Sequence, residues 1–246
     1  AVLLLVVPLT LLLIAGIVLA VLLGALGLPL LLVGGVALLV LSPLLMPLGL
    51  AGSRIAKQPW ADRLSWVGLL MMGLFSSLFV MTLVRDALLL MLWLAHVAGL
   101  QLPLQALGVI SAQAVPVLAL LVTVLGFLNA RRTPAVVRVD VPIKRLPLAL
   151  HGFTVAQLSD IHIGPTIKRA WLQRIVSRVN SLGADMVAVT GDLVDGRVAD
   201  LAGHIAPLAD LRSRHGTYVV TGNHEYYSGA HAWVAELRRI GLTVLM

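Results

Sequence analysis

The first fifty residues, Ala1–Leu50, carry no charged side chain and no histidine. A water-soluble fold needs a polar exterior, whereas a bilayer span needs about 20 apolar residues in a helix. A stretch this long and this apolar therefore admits two spans. Gly24, Gly27 and Pro29 punctuate it and predict spans near 2–23 and 29–50. The charges that follow are unevenly spread. Of 18 cations only Arg54, Lys57, Arg63 and Arg85 precede residue 131, and of 11 anions only Asp62 and Asp86 do. The overall 59% hydrophobic and 12% charged content thus averages two unlike regions. They meet near Asn129–Pro134.

A third apolar stretch runs from Ser65 to about Leu100, and a fourth from about Leu107 to Leu128. Arg85-Asp86 interrupts the third. Either one helix runs through the pair, or two spans meet there in a polar turn. The positive-inside rule favours one helix and four spans in all. The basic segments Ala51–Leu64 and Arg131 onward then share one side, the cytoplasm. An ionisable pair within a span is a functional candidate by default; an interfacial ion pair is the simpler reading here. His96 beside Trp93 suits an interfacial belt. The chain opens inside an apolar run with no basic leader, so its natural start is expected to lie upstream.

The net charge of +7 does not point to nucleic acid. The cations are scattered and form no stripe with aromatic residues. Arg131-Arg132 follows an apolar span directly, as in a membrane flank facing anionic lipid. The absence of cysteine excludes disulfides, zinc–thiolate sites and thiol nucleophiles.

Beyond residue 134 the pattern becomes an alternation of strands and helices. Val137–Val141 alternates apolar and charged residues like an exposed strand. Phe153–Leu158, Asp185–Thr190 and Thr217–Thr221 read as buried strands, and Leu242–Met246 begins another. Ile167–Ser181, Val198–Leu211 and Ala230–Ile240 read as helices. On the first of these, Trp171, Leu172, Ile175, Val176 and Val179 share a face. Such alternation predicts a layered α/β domain, whose ligands gather beyond the carboxyl ends of the strands.

Three polar strings stand at those ends: Asp160-Ile161-His162, Gly191-Asp192 and Gly222-Asn223-His224-Glu225. Residues i and i+2 of an extended segment point the same way, so Asp160 and His162 can reach one cation. Asp192 is a carboxylate after a glycine, a pattern that also suits an Asx turn. Asn223 offers a neutral oxygen, and His224 an acid or base. Asp-x-His alone is weak, and Gly222-Asn223-His224-Glu225 is the more specific string. The joint occurrence of all three, each after a buried strand, points to a metal-dependent hydrolase. His204, His215 and His231 lack such a setting and read as surface residues.

The strings Leu158-Ser159-Asp160-Ile161-His162, Thr190-Gly191-Asp192-Leu193-Val194-Asp195 and Gly222-Asn223-His224-Glu225 resemble the first three blocks of the calcineurin-like metallophosphoesterase family. The layout is similar to its membrane-anchored bacterial branch. The resemblance covers about Phe153–Met246. It implies a four-layer α/β/β/α sandwich, incomplete in this chain, and two divalent cations bridged by a carboxylate. Asp160 and His162 would bind the first metal, Asp192 would bridge both, and Asn223 would bind the second. His224 would face the phosphate and stabilise or protonate the leaving oxygen, making His224 and Asp192 the catalytic pair. Asp195 and Glu225 would orient ligands. Tyr226 and Tyr227 would line the pocket or pack. Oxygen and imidazole donors suit manganese, iron or zinc.

The family has further histidines in a Gly-His-x-His block, which this chain lacks. The chain by itself is therefore expected to bind metals weakly and to be inactive or nearly so. The expected organisation is a transmembrane region of four helices over 1–130, a basic linker and first strand over 131–152, and the N-terminal part of the phosphoesterase domain over 153–246. The expected function is a multi-pass inner-membrane phosphoesterase with a cytoplasmic catalytic domain, cleaving a phosphomonoester, phosphodiester or pyrophosphate bond by two-metal activation of water. A lipid-linked substrate is suggested by the tether alone. The alternative is a membrane scaffold or signalling protein with a degenerate phosphoesterase domain. A transporter is disfavoured, because Arg85-Asp86 is the sole charged pair within the apolar stretches.

Overall fold

A computed structural model describes residues 41–43, 45–47, 49 and 57–245. The chain divides into two compact units, Ala1–Ala130 and Arg131–Met246. The span expected near 2–23 lies outside the described residues. Of the one near 29–50, only residues 41–43, 45–47 and 49 are described, and these are helical.

The first unit contains α1 (Trp60–Val97) and α2 (Leu104–Ala130). Both are rich in Leu, with Met in α1 and Ala in α2 adding further good helix formers, and both are apolar all round. Leu88, Met91, Trp93, Val117 and Leu121 are exposed on them. Each helix is long and apolar enough to cross a membrane. Helix α1 runs unbroken through Arg85-Asp86, so no polar turn forms there.

The charge on Arg85 is met within the helix pair. Its guanidinium contacts Asp86 at 2.6 Å and donates to Ser111 Oγ at 3.1 Å and to the Gly108 carbonyl at 3.2 Å. The Arg85 side chain is only 9% exposed, against 40% for Asp86. The pair is thus an ion pair extended into a bridge between α1 and α2. Thr123 adds a second polar link, donating to Ser77 Oγ at 3.2 Å, and Trp66 meets Phe127 edge-on at 5.8 Å.

The second unit begins its sheet with β1 (Val155–Leu158). Then come α3 (Arg169–Asn180), β2 (Met186–Val189), α4 (Val198–Ile205), β3 (Thr217–Val219), α5 (Asn223–Ser228), α6 (Ala230–Arg239) and β4 (Thr243–Val244). The sheet order is β1-β2-β3-β4, parallel throughout. Parallel neighbours require crossovers, and helices supply them.

One face of the sheet packs against those helices. Ala156, Val187, Val189, Val219 and Val244 meet Leu172, Ile175, Val176 and Val179 of α3, Leu201 and Ile205 of α4, and Trp233, Val234 and Leu237 of α6. Trp233 is fully buried, and its indole N–H donates to the Gly196 carbonyl at 2.9 Å. On the opposite parity, Val155 and Leu245 are exposed. The described residues of this unit therefore form two layers, one sheet and its helices.

Three local expectations change. Val137–Val141 forms no strand; Val137, Val139 and Val141 are exposed, and among the described residues nothing pairs with their backbone. Alternation suits a strand but does not supply its partner. The helix expected over Val198–Leu211 ends at Ile205 and continues as a 3-10 turn, Ala206–Asp210. Pro207 has no N–H to continue the α-helical bonding. The Asn223 string, expected as a loop, opens the short helix α5, which stops at Gly229 with φ 101°.

Asp185 ties the strand starts together. Its Oδ2 accepts from the Thr154 backbone N–H at 2.9 Å and the Thr154 hydroxyl at 3.0 Å, and Arg214 lies 3.3 Å from Oδ1. These partners hold its carboxyl below the usual aspartate pKa, the Thr154 N–H most of all. A depressed acid stabilises the fold above its unfolded pKa and loses that contribution as pH falls through the folded value. Asp185→Asn should therefore lower the thermal midpoint at pH 7, and the gap from wild type should close below about pH 4. Thermal unfolding across pH 2–7 measures both effects.

Candidate metal centre

The centre is built where the chain leaves β1, β2 and β3. The segments after β1 and β2 run side by side. Asp160 N–H donates to the Gly191 carbonyl at 3.2 Å, His162 N–H to Asp192 at 3.0 Å, and Ile163 N–H to Leu193 at 2.7 Å. Asp195 N–H returns to the Ile163 carbonyl at 2.8 Å, and Ile163 bridges Val194 in parallel sense. Ile161, Ile163, Leu193 and Val194 are buried in the core. The apolar residues of both strings anchor the loops, and the polar residues between them remain available.

The expected extended geometry is replaced by a more constrained one. Asp160, His162 and Asp192 all lie in the left-handed region, with φ of 55°, 51° and 54°. This conformation costs a non-glycine residue about 1–2 kcal/mol, and such outliers cluster at functional sites. The ladder of backbone hydrogen bonds and the buried isoleucines hold it in place.

Asp160, His162 and Asp192 offer ligand atoms within 4.8 Å of one another, as do His162, Asp195 and His224. His162 Nε2 lies 3.9 Å from Asp160 Oδ1, too far for a hydrogen bond and within reach of a shared cation. One end of the Asn223 carboxamide lies 3.2 and 3.1 Å from the two Asp192 oxygens. Hydrogen bonding alone calls for the NH₂ at that end; a cation shared with Asp192 calls for the oxygen. His224 N–H also donates to Asp192 Oδ1 at 2.9 Å. This donor set, two carboxylates, an imidazole and a carboxamide, fits a divalent metal. All five residues singled out in the sequence thus meet in one place.

Asp195 orients both imidazoles. Its Oδ1 lies 2.9 Å from His162 Nδ1 and 2.6 Å from His224 Nδ1. Each Nδ1 carries the proton in a hydrogen bond to the carboxylate, leaving Nε2 to face the site. The rings stand 4.5 Å apart, nearly perpendicular. Burial of the His162 ring opposes its charge, but the hydrogen bond to Asp195 and the nearby Asp195, Asp192 and Asp160 carboxylates raise its pKa overall. Sequence spacing alone did not reveal that one carboxylate serves two histidines.

Glu225 is the other residue whose weight the sequence understated. It is 1% exposed. Its Oε2 accepts from Gly222 N–H at 2.6 Å and Asp192 N–H at 2.9 Å, and its Oε1 from Leu193 N–H at 2.7 Å and Val194 N–H at 3.2 Å. One carboxylate therefore pins the β2 loop to the β3 loop. Glycine is needed where they touch: a Cβ on Gly222 would lie 2.6 Å from Asp192 N, and one on Gly191 2.7 Å from Gly222 Cα. His231 is exposed on α6, and His215 tilts against Phe153 at 5.4 Å; neither joins the centre.

Residues 153–242 match the family model for calcineurin-like phosphoesterases. The chain is 44% identical over 134 residues to a zebrafish (Danio rerio) protein named transmembrane protein with metallophosphoesterase domain, covering 52% of this chain and 31% of the relative. The bovine (Bos taurus) protein of the same name is 45% identical over 135 residues, 53% of this chain and 30% of the relative. The UDP-2,3-diacylglucosamine pyrophosphatase LpxG of Chlamydia muridarum is 32% identical over 78 residues, 31% of this chain and 24% of that protein. The chain thus spans about a third or less of the length of these curated relatives. No solved structure matches it significantly.

Glu225→Gln keeps the shape but turns an NH₂ toward backbone donors. It should cost roughly 2–4 kcal/mol, because buried N–H groups are left facing a donor. Urea unfolding followed by tryptophan fluorescence measures the loss, and a cost within a few tenths of a kcal/mol would refute the pinning role.

Proposed function

Through residues 153–242 the chain belongs to the calcineurin-like metallophosphoesterase family, and from that premise we propose a membrane-anchored, metal-dependent phosphohydrolase. The observation that carries this reading is the convergence of Asp160, His162, Asp192, Asn223 and His224 at one sheet edge, with Asp195 fixing both histidines. Asp160, His162, Asp192 and Asn223 would hold two divalent cations, with Asp192 as the carboxylate shared between them. Manganese, iron or zinc held there would neutralise phosphate charge and acidify water.

The chain's own groups do the rest. Asp195 holds the His224 ring in the orientation that aims Nε2 at the substrate. The phosphorus–oxygen bond to the leaving group breaks as a water oxygen bonds to phosphorus. The leaving oxygen takes its proton from Nε2 of the doubly protonated His224 ring, leaving a neutral imidazole, and the proton lost by water returns that ring to imidazolium. The neutral Asn223 leaves more positive charge for the phosphate than a third carboxylate would. The remaining two layers of the sandwich and the further histidine ligands belong to the same reading.

The apolar α1 and α2, and relatives named transmembrane proteins, support membrane attachment. The basic flanks Arg54–Arg63 and Arg131-Arg132 favour a multi-pass inner-membrane protein with the site in the cytoplasm. A relative named for cleaving UDP-2,3-diacylglucosamine makes a lipid-linked pyrophosphate one candidate beside simple mono- and diesters. A reporter fused after residue 130 should be active only in its cytoplasmic form.

With manganese, iron or zinc added, the full-length protein should hydrolyse bis(p-nitrophenyl) phosphate or p-nitrophenyl phosphate. Asp192→Asn should reduce this to background, and Asp195→Asn should lower it about 10- to 100-fold. Equal rates for wild type and Asp192→Asn across both esters and all three metals would favour the scaffold reading.

A further inference from the structure

We infer that Tyr227 reads the leaving group, and that the preferred substrates are phosphate esters whose leaving group presents a flat apolar ring, such as an aryl group or a nucleobase. This rests on the phosphoesterase reading above. His224 Nδ1 is committed to Asp195, so Nε2 is the nitrogen that meets the leaving oxygen. The group attached to that oxygen must therefore pass close to the His224 ring.

Tyr227 stands at this place. It follows His224 by three residues on α5, a spacing that puts side chains on one helix face. Its ring centroid lies 5.7 Å from that of His224, with the planes at 65°. The residue is nevertheless 80% exposed. Among the described residues His224 is its one ring partner, and both faces of the tyrosine are largely unused. Its neighbour Tyr226 is also exposed, at 62%. Packing thus does not account for either side chain within the described residues. A rigid ring beside the proton donor offers a planar leaving group an offset-stacked or edge contact. Such stacking tolerates different rings, since each has a π face. A methyl ester or inorganic pyrophosphate gains nothing from it.

The test compares benzylphosphonate with methylphosphonate, two anions of matched charge, on the metal-loaded full-length protein. Their binding constants are measured by calorimetry and as competitive inhibition constants. Wild type should bind benzylphosphonate about 3- to 10-fold more tightly. Tyr227→Ala should bring that ratio close to one, and Tyr227→Phe should retain it. A ratio unchanged in Tyr227→Ala, or near one in wild type, overturns the inference while the phosphoesterase reading stands. Wild type that binds neither phosphonate and matches Asp192→Asn in hydrolysis overturns both.

Discussion

The carboxylate of Glu225 is the interaction on which the centre depends. It is buried and accepts backbone hydrogen bonds from Asp192, Leu193, Val194 and Gly222. Those donors lie in two segments separated by a helix, a 3-10 turn and a strand. Without a common acceptor, four N–H groups would face the interior unpaired, a costly state. With it, the β2 and β3 loops are brought together until Gly191 and Gly222 meet backbone to backbone. The position of Asp192 relative to Asn223 and His224 follows from that contact.

Asp195 repeats the same economy on the side-chain level. One oxygen serves two imidazoles from different loops. Each ring loses its freedom to flip and keeps a single nitrogen for chemistry. The left-handed backbone at Asp160, His162 and Asp192 is the strain this arrangement carries. The ladder between the two loops, together with Ile161, Ile163, Leu193 and Val194 in the core, keeps it from relaxing.

Much of this was legible in the chain. Apolar runs located β1, β2 and β3, and polar residues breaking those runs located the side chains that meet beyond the strand ends. The face of α3 that meets the sheet followed from helical spacing. Other features were hidden for physical reasons. Positive φ is normally announced by glycine, yet here it falls on two aspartates and a histidine. Glu225 sits in a polar string, so nothing in its neighbourhood signals burial. Val137–Val141 has the composition of a strand, but a strand is made by its neighbour. Pro207 was visible, and its effect on the end of α4 could have been read from its missing N–H.

Arg85 makes the two apolar helices interdependent. Its guanidinium finds Asp86 on its own helix, and Ser111 and the Gly108 carbonyl on α2. Taken alone, α1 would present a guanidinium met by one neighbouring carboxylate. A charge in hydrocarbon carries a penalty of several kcal/mol, so an apolar setting would penalise α1 by itself more than the paired helices. The polar groups that make each helix costly in isolation are the ones that hold the two together.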